Sequence, residues 1–160
     1  MTVILNADFA LCVGNMEANT VSETDNAGDG MFVLCGYCAT GGGVITYDDT
    51  GSLPVEADNY YNIEELRGKK LTLHNANNFS RWISINPIPE NNNLIPTFYK
   101  GPLSTTLPAS NNTKKIVVVE GTANVDSKSL KELSIGRLGP GKELSLNLEA
   151  NCAVIILEKV

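Results

Sequence analysis

Gly101-Pro-Leu-Ser-Thr-Thr-Leu-Pro-Ala-Ser-Asn-Asn-Thr-Lys-Lys-Ile-Val-Val-Val-Glu-Gly121 is the stretch from which the fold is read. Its second half, Lys115-Ile-Val-Val-Val-Glu120, is apolar on both faces over its middle. Successive side chains of a strand point to opposite faces, so such a run predicts a central strand covered on both sides. Gly121 ends it, and Thr122–Asp126 can return beside it as a hairpin. Further on, Leu144-Ser-Leu-Asn-Leu148 alternates apolar and polar, the pattern of a strand with one wet face. Ala153–Glu158 supplies another apolar run.

The same pattern extends outward through the chain. Thr2–Leu5, Met31–Tyr37, Val44–Tyr47, Leu71–Asn75, Arg81–Asn86 and Leu130–Ile135 all read as short strands. Clusters such as Asp25-Asn-Ala-Gly-Asp-Gly30 and Pro87-Ile-Pro-Glu-Asn-Asn-Asn93 separate them. Many short runs divided by turn residues predict an all-β sandwich or barrel. One short helix is expected, capped by Asn62, with Glu65 completing a capping box and Gly68 ending it. No internal repeat or linker breaks the chain. The expectation is therefore one domain over residues 1–160, with core strands from residue 66 onward and residues 1–65 as an N-terminal extension packed on them.

Composition narrows the function classes. The chain has 160 residues, 42% of them hydrophobic and 19% charged, with a formal net charge of −6. A negative balance argues against nucleic acid or an anionic membrane as principal partner, since both need a basic surface. No apolar run approaches the ~18 residues of a membrane-spanning helix. The stretch Met1-Thr-Val-Ile-Leu-Asn-Ala-Asp8 lacks the basic and apolar regions of a secretory signal. The expected compartment is thus the cytoplasm, with Cys12, Cys35, Cys38 and Cys152 as reduced thiols. Cys35-Gly-Tyr-Cys38 has redox spacing, but it follows a strand-like run and enters Ala39-Thr-Gly-Gly-Gly43 rather than a helix. A zinc site would need Cys12, Cys152 or His74 as further ligands, and these are scattered. The 18 asparagines suit a turn-rich chain or a polar, hydrogen-bonding surface.

Residues 101–121 resemble the first conserved motif of the cupins. That pattern is Gly, five residues, His-x-His, three or four residues, Glu, six residues, Gly. Gly101 and Gly121 fit its two ends, with four residues in the variable gap. Ile116-Val-Val-Val-Glu-Gly-Thr-Ala-Asn-Val125 is similar to the cupin strand that leads through Glu-Gly into the next hairpin strand, and Leu138-Gly-Pro-Gly-Lys142 with two closing strands continues the likeness. The resemblance covers about 60 residues and implies a jelly roll, the double-stranded β-helix. The ligand positions depart from it: Leu107 and Ala109 stand for the two histidines and Lys114 for the glutamate. The second motif, started at Gly141, puts Asn147 at its Pro, Glu149 at its Gly, Cys152 at its His and Ile156 at its Asn. Leu and Ala cannot ligate a cation, and Lys114 brings positive charge to the same place. No metal and no cofactor is therefore expected.

The resemblance implies a metal-free protein that binds a small molecule or carbohydrate, as a homodimer formed through sheet or strand exchange. Two other classes compete: a structural or assembly protein of viral or phage type, and a metal-independent sugar isomerase or epimerase. Three residues are candidate ligand contacts. His74 is the single histidine, so any histidine-based catalysis runs through it. In Leu71-Thr-Leu-His-Asn75 it shares a face with Thr72, opposite Leu71 and Leu73. It faces solvent if the leucines face the core, and acts as a base if the polar face lines the lumen. Trp82 alternates against Ile83 and Ile85 and either stacks on a ligand or fills a core or dimer contact. Cys152 is the third candidate; as a nucleophile it would need His74 as base. Tyr60-Tyr61 is a lesser sugar-contact candidate. Asp48-Asp49 reads as turn chemistry, Glu64-Glu65 as helix N-terminus, and Gly41-Gly-Gly43 lacks the Lys-Ser/Thr of a phosphate loop.

Overall fold

The computed structural model describes residues 2–24, 32–36, 42–48, 50–57, 59–62, 66, 69–88 and 93–160. Among them every extended element is a β-strand paired antiparallel, and no helix is long and apolar enough to cross a membrane. The chain divides into two compact units, Met1–Asn92 and Asn93–Val160.

The first unit holds β1 (Thr2–Leu5), β2 (Phe9–Met16), β3 (Val21–Thr24), β4 (Phe32–Gly36), β5 (Gly42–Tyr47), β6 (Gly51–Glu56), β7 (Asn59–Asn62), β8 (Leu71–Asn75) and β9 (Ser80–Pro87). They form two sheets, ordered β1-β2-β9-β4-β7 and β3-β8-β5-β6. Met16 and Trp82 from the first sheet meet Ile45, Val55 and Leu71 from the second, with Leu66, in one buried cluster. Asn75 is buried beside it at 7% exposure. Its Nδ2 donates to the carbonyls of Met16 (3.2 Å), Glu17 (2.8 Å) and Asn78 (2.9 Å), and its Oδ1 accepts from Trp82 Nε1 at 3.4 Å. A buried amide satisfied in this way ties the end of β2 and the β8–β9 turn to the core. Asparagine also makes turns here: Asn6 Oδ1 accepts from the amides of Asp8 and Phe9, and Asn19 holds φ 57°.

The second unit holds β10 (Leu94–Lys100), β11 (Leu103–Leu107), β12 (Lys114–Glu120), β13 (Ala123–Val125), β14 (Lys128–Leu130), β15 (Ile135–Leu138), β16 (Leu144–Leu148) and β17 (Ala153–Lys159). Its sheets run β10-β17-β12-β15 and β11-β16-β13-β14. Ile116, Val118, Leu138, Val154 and Ile156 of one sheet pack against Ala123, Val125, Leu144, Leu146 and Leu148 of the other. The opposite face of the central pair, carrying Val117, Val119, Ile155 and Leu157, is also buried, as the double-faced apolar run requires. Register shifts between Val118 and Glu120, so the extra residue Val119 forms a bulge.

Contacts divide the chain after Asn92, and strands before residue 65 pair with β8 and β9. One expectation changes. Leu130–Ile135 is not one strand. Residues 131–134 turn between β14 and β15, with Leu133 at φ 63°, and Ser134 caps the turn through Lys131 O. Asn62 ends β7 and most of the expected helix, residues 63–65 and 67–68, lies outside the described residues.

Candidate functional site

The second unit shows what became of the cupin-like metal positions. Gly101 and Gly121 bracket β11 and β12 and are required there. A Cβ on Gly101 would lie 1.8 Å from the carbonyl oxygen of Glu149, and Gly121 has φ +69°. Leu107, the last residue of β11, packs on the apolar cluster, and Ala109 is exposed in the following turn. Lys114 opens β12 on the same face as Ile116 and Val118 and is only 7% exposed. Its Nζ donates to Pro108 O at 3.2 Å. Asn147 and Glu149 are exposed, and Ile156 belongs to the core. Among the described residues no three His, Cys, Asp or Glu gather as a metal-binding group. Apolar side chains plus a buried ammonium do not fit a divalent cation, and the rest of the inner face is filled by Leu, Val and Ile.

Opposite Lys114 in the register stands Glu158. Its Oε1 accepts from Ser110 Oγ at 2.8 Å and Asn112 Nδ2 at 3.1 Å. The Ser110 hydrogen bond foremost, then that of Asn112 and the charge of Lys114, hold the carboxyl below the ordinary glutamate value of 4.5 against the opposing effect of burial. A depressed folded pKa contributes stability that is present above the unfolded value and is lost as pH falls through the lower folded one. Glu158→Gln is therefore expected to lower the unfolding midpoint at neutral pH and to flatten the acid limb, so that the two proteins converge as the pH falls well below 4.5. Parallel acid limbs for the two proteins would contradict this.

The first unit is built differently. Along β2 the odd positions Phe9, Leu11 and Val13 are buried, and along β9 Ile83 and Ile85 are buried on the same face. The even positions form the other face. At one end they close into the core as Met16 and Trp82. Toward the other end the pairs are Cys12 opposite Ser84 and Ala10 opposite Asn86, flanked on β1 by Val3 opposite Cys12 and Leu5 opposite Ala10. Cross-strand partners of this kind have Cβ atoms about 4.5–5.5 Å apart. Ala10, Cys12, Ser84 and Asn86 are half-buried, while Val3 and Leu5 are 51% and 70% exposed. A Cβ added at Gly14 meets nothing within 4 Å. None of these residues is charged. Asn86 Oδ1 is buried without a hydrogen-bond partner among the described residues. The result is an uncharged strip, termed the trough, of half-buried small and polar side chains beside the exposed Val3 and Leu5.

The structure separates the three sequence-derived candidates. Trp82 is 6% exposed in the first unit's core and bonded to Asn75, so it supports the inner end of this face. His74 projects from β8 on the side away from Leu71 and Leu73, and its Nε2 lies 3.0 Å from Thr46 Oγ1, a hydroxyl rather than a carboxylate. Cys152 sits in the second unit's core at 2% exposure, and its thiol pKa is raised by burial, then by Glu120 and Glu149. Tyr61 OH accepts from the Glu56 amide at 2.9 Å; the side chains of Tyr60 and Cys35, and Cys38 altogether, lie outside the described residues. Cys12, which the sequence offers only as a reduced thiol or a further zinc ligand, is the free thiol that lies on the trough. Peptide-resolved alkylation at neutral pH is expected to label Cys12 at least ~10-fold faster than Cys152, because a buried, desolvated thiol reacts slowly. Equal rates would show the trough to be closed.

No family model matches the chain, and no curated protein matches it. Solved structures do. HutD from Pseudomonas fluorescens SBW25 superimposes with a TM-score of 0.67 at 12% identity, over 95% of this chain and 79% of that one. A cupin 2 conserved barrel domain protein from Leptotrichia buccalis gives 0.56 at 12% identity, over 99% and 88%. The bacterial pirin YhhW from Escherichia coli, solved in complex with nickel(II), gives 0.60 at 10% identity, over 95% and 82%. This chain therefore has the cupin fold, in a form divergent in sequence.

Proposed function

We propose that this cupin-fold chain is a cation-independent binding protein that takes a small uncharged molecule, carrying hydroxyl or amide donors, on the trough of β1, β2 and β9. Carbohydrates are the first class that fits. The observation that carries this reading is the contrast between the two inner faces. In the second unit the face is solid Leu, Val and Ile with Lys114 at its end. In the first unit Ala10, Cys12, Ser84 and Asn86 are only half-buried, and none is charged. Ligand sites of this sort combine apolar lining with a few convergent polar groups. At the motif positions this chain carries Leu107, Ala109 and Lys114, none of which suits a cation. Among the described residues a hydrolytic or isomerising role through His74 has a hydroxyl, Thr46 Oγ1, rather than a carboxylate beside the ring.

The test is a thermal-unfolding screen against neutral mono- and disaccharides, polyols and small amides, each beside a carboxylated counterpart. Stabilisation by a neutral member, lost in Ser84→Leu while that variant stays folded, is expected. Stabilisation only by the carboxylated compounds, or persistence in Ser84→Leu, would refute the placement.

Self-association is the second reading, and β1 favours it. This strand is a sheet edge without charge, Pro or bulge, the usual guards against pairing. Two copies paired antiparallel about a two-fold normal to the sheet could set Val3 of one against Leu5 of the other. Sedimentation showing a monomer at all accessible concentrations would remove this reading.

A further inference from the structure

We infer that the second unit carries its own cation: the Lys114 ammonium, standing where the resembled motif has a metal-binding carboxylate, works with Glu158 to pin the 108–113 turn over the end of the sandwich. Both residues share the inner face, Lys114 in line with Ile116 and Val118, Glu158 in line with Val154 and Ile156. Each holds a different part of the turn. Lys114 Nζ donates to Pro108 O at 3.2 Å, at its start. Glu158 receives Ser110 Oγ and Asn112 Nδ2, at 2.8 and 3.1 Å, at its middle. The turn is closed on itself by the Asn112 amide donating to Ser110 Oγ at 3.3 Å. It is joined to its surroundings by the amides of Gly141, to Ser110 O at 2.7 Å, and Lys159, to Thr113 O at 2.9 Å.

The physical reason is charge. A lysine at 7% exposure is costly unless its ammonium is hydrogen-bonded and near opposite charge. Here a carbonyl and the field of Glu158 meet that need. Charge-assisted hydrogen bonds are roughly twice as strong as neutral ones, so the pair can order a turn rich in Ser and Asn that has little apolar surface to hold it. A divalent cation has no role left at this place, and its departure from the motif is compensated internally.

Site-resolved hydrogen exchange on the full chain tests this through the amides of Asn112, Gly141 and Lys159. Lys114→Met keeps most of the stem but removes the charge and donors. These three amides are then expected to exchange roughly 10-fold faster or more, the equivalent of losing one charge-assisted hydrogen bond, while those of Leu146 and Val154 change far less. Ser110→Ala removes one anchor of Glu158 without touching the buried ammonium, and the same three amides should quicken; this variant decides the matter if Lys114→Met does not fold. Unchanged exchange at the three amides in a folded variant would overturn the inference. So would slowed exchange at these amides on adding Mn(II), Ni(II) or Zn(II) to the unaltered protein, since that would show a cation site still working there.

Discussion

Asn75→Leu is expected to lower the unfolding free energy of the first unit by about 3 kcal/mol, the sum of a few unmade buried hydrogen bonds. Leucine keeps asparagine's branching and heavy-atom count but is larger, so some overpacking adds to the loss. What disappears is the donor shared by the carbonyls of Met16, Glu17 and Asn78, and the acceptor for Trp82 Nε1. Glu17 is exposed and its carbonyl can turn to water; Met16 and the Trp82 ring are buried and have no such recourse. Trp82 is the single tryptophan, so its fluorescence reads this unit directly during denaturant unfolding. A loss under about 1 kcal/mol, the net value of one ordinary hydrogen bond, would mean that Asn75 is not the tie described.

Leu146→Ala should cost about 3–5 kcal/mol, the range for a fully buried leucine whose site cannot collapse. Leu146 lies mid-strand in β16, 0% exposed, opposite Thr105 on β11 and Val125 on β13. Its neighbours Ile116, Val118, Val154 and Ile156 come from rigid, mutually paired strands, so they cannot close the void. The result also separates two pictures of this sandwich. In a filled one the loss is large; in one with a solvated lumen the alanine faces water that was already present, and the loss falls to about 1 kcal/mol or less. Denaturant unfolding followed by far-ultraviolet dichroism measures it.

Most central strands were legible in the sequence, and the edges, apart from Thr2–Leu5, mostly were not. Leu71–Asn75 and Leu144–Leu148 match their strands residue for residue, and Lys115–Glu120 misses one end by a residue. Such strands are flanked on both sides, and their apolar runs say so. The strands that escaped notice are mostly at sheet edges: β3, β6, β7, β10 and β11. Edges tolerate Pro54 and Pro96 and polar runs such as Leu103-Ser-Thr-Thr-Leu107, which read as turns. The strand β2 is the exception. Its Phe9, Leu11 and Val13 alternate cleanly, and the intervening Ala, Cys and Gly obscured a signal that was present.

The motif ends at Gly101 and Gly121 located the fold, and the expectation of no cation at its ligand positions rests, like it, on residue type and spacing. The trough could not be found that way. Cys12, Ser84 and Asn86 look like the ordinary wet face of a strand until register sets Cys12 beside Ser84. His74 and Trp82 drew notice because they are chemically conspicuous. Which side of a sheet is buried is a tertiary fact, and it put Trp82 into the core and left His74 on the opposite face of its own sheet.

The account rests on a cupin fold that functions without a bound cation. Metal content, measured on protein purified without chelators, tests that most directly when paired with unfolding midpoints before and after dialysis against a strong chelator. The account predicts only substoichiometric traces of transition metal and an unmoved midpoint. A full equivalent of one metal, removed by the chelator with a fall in the midpoint, would contradict it.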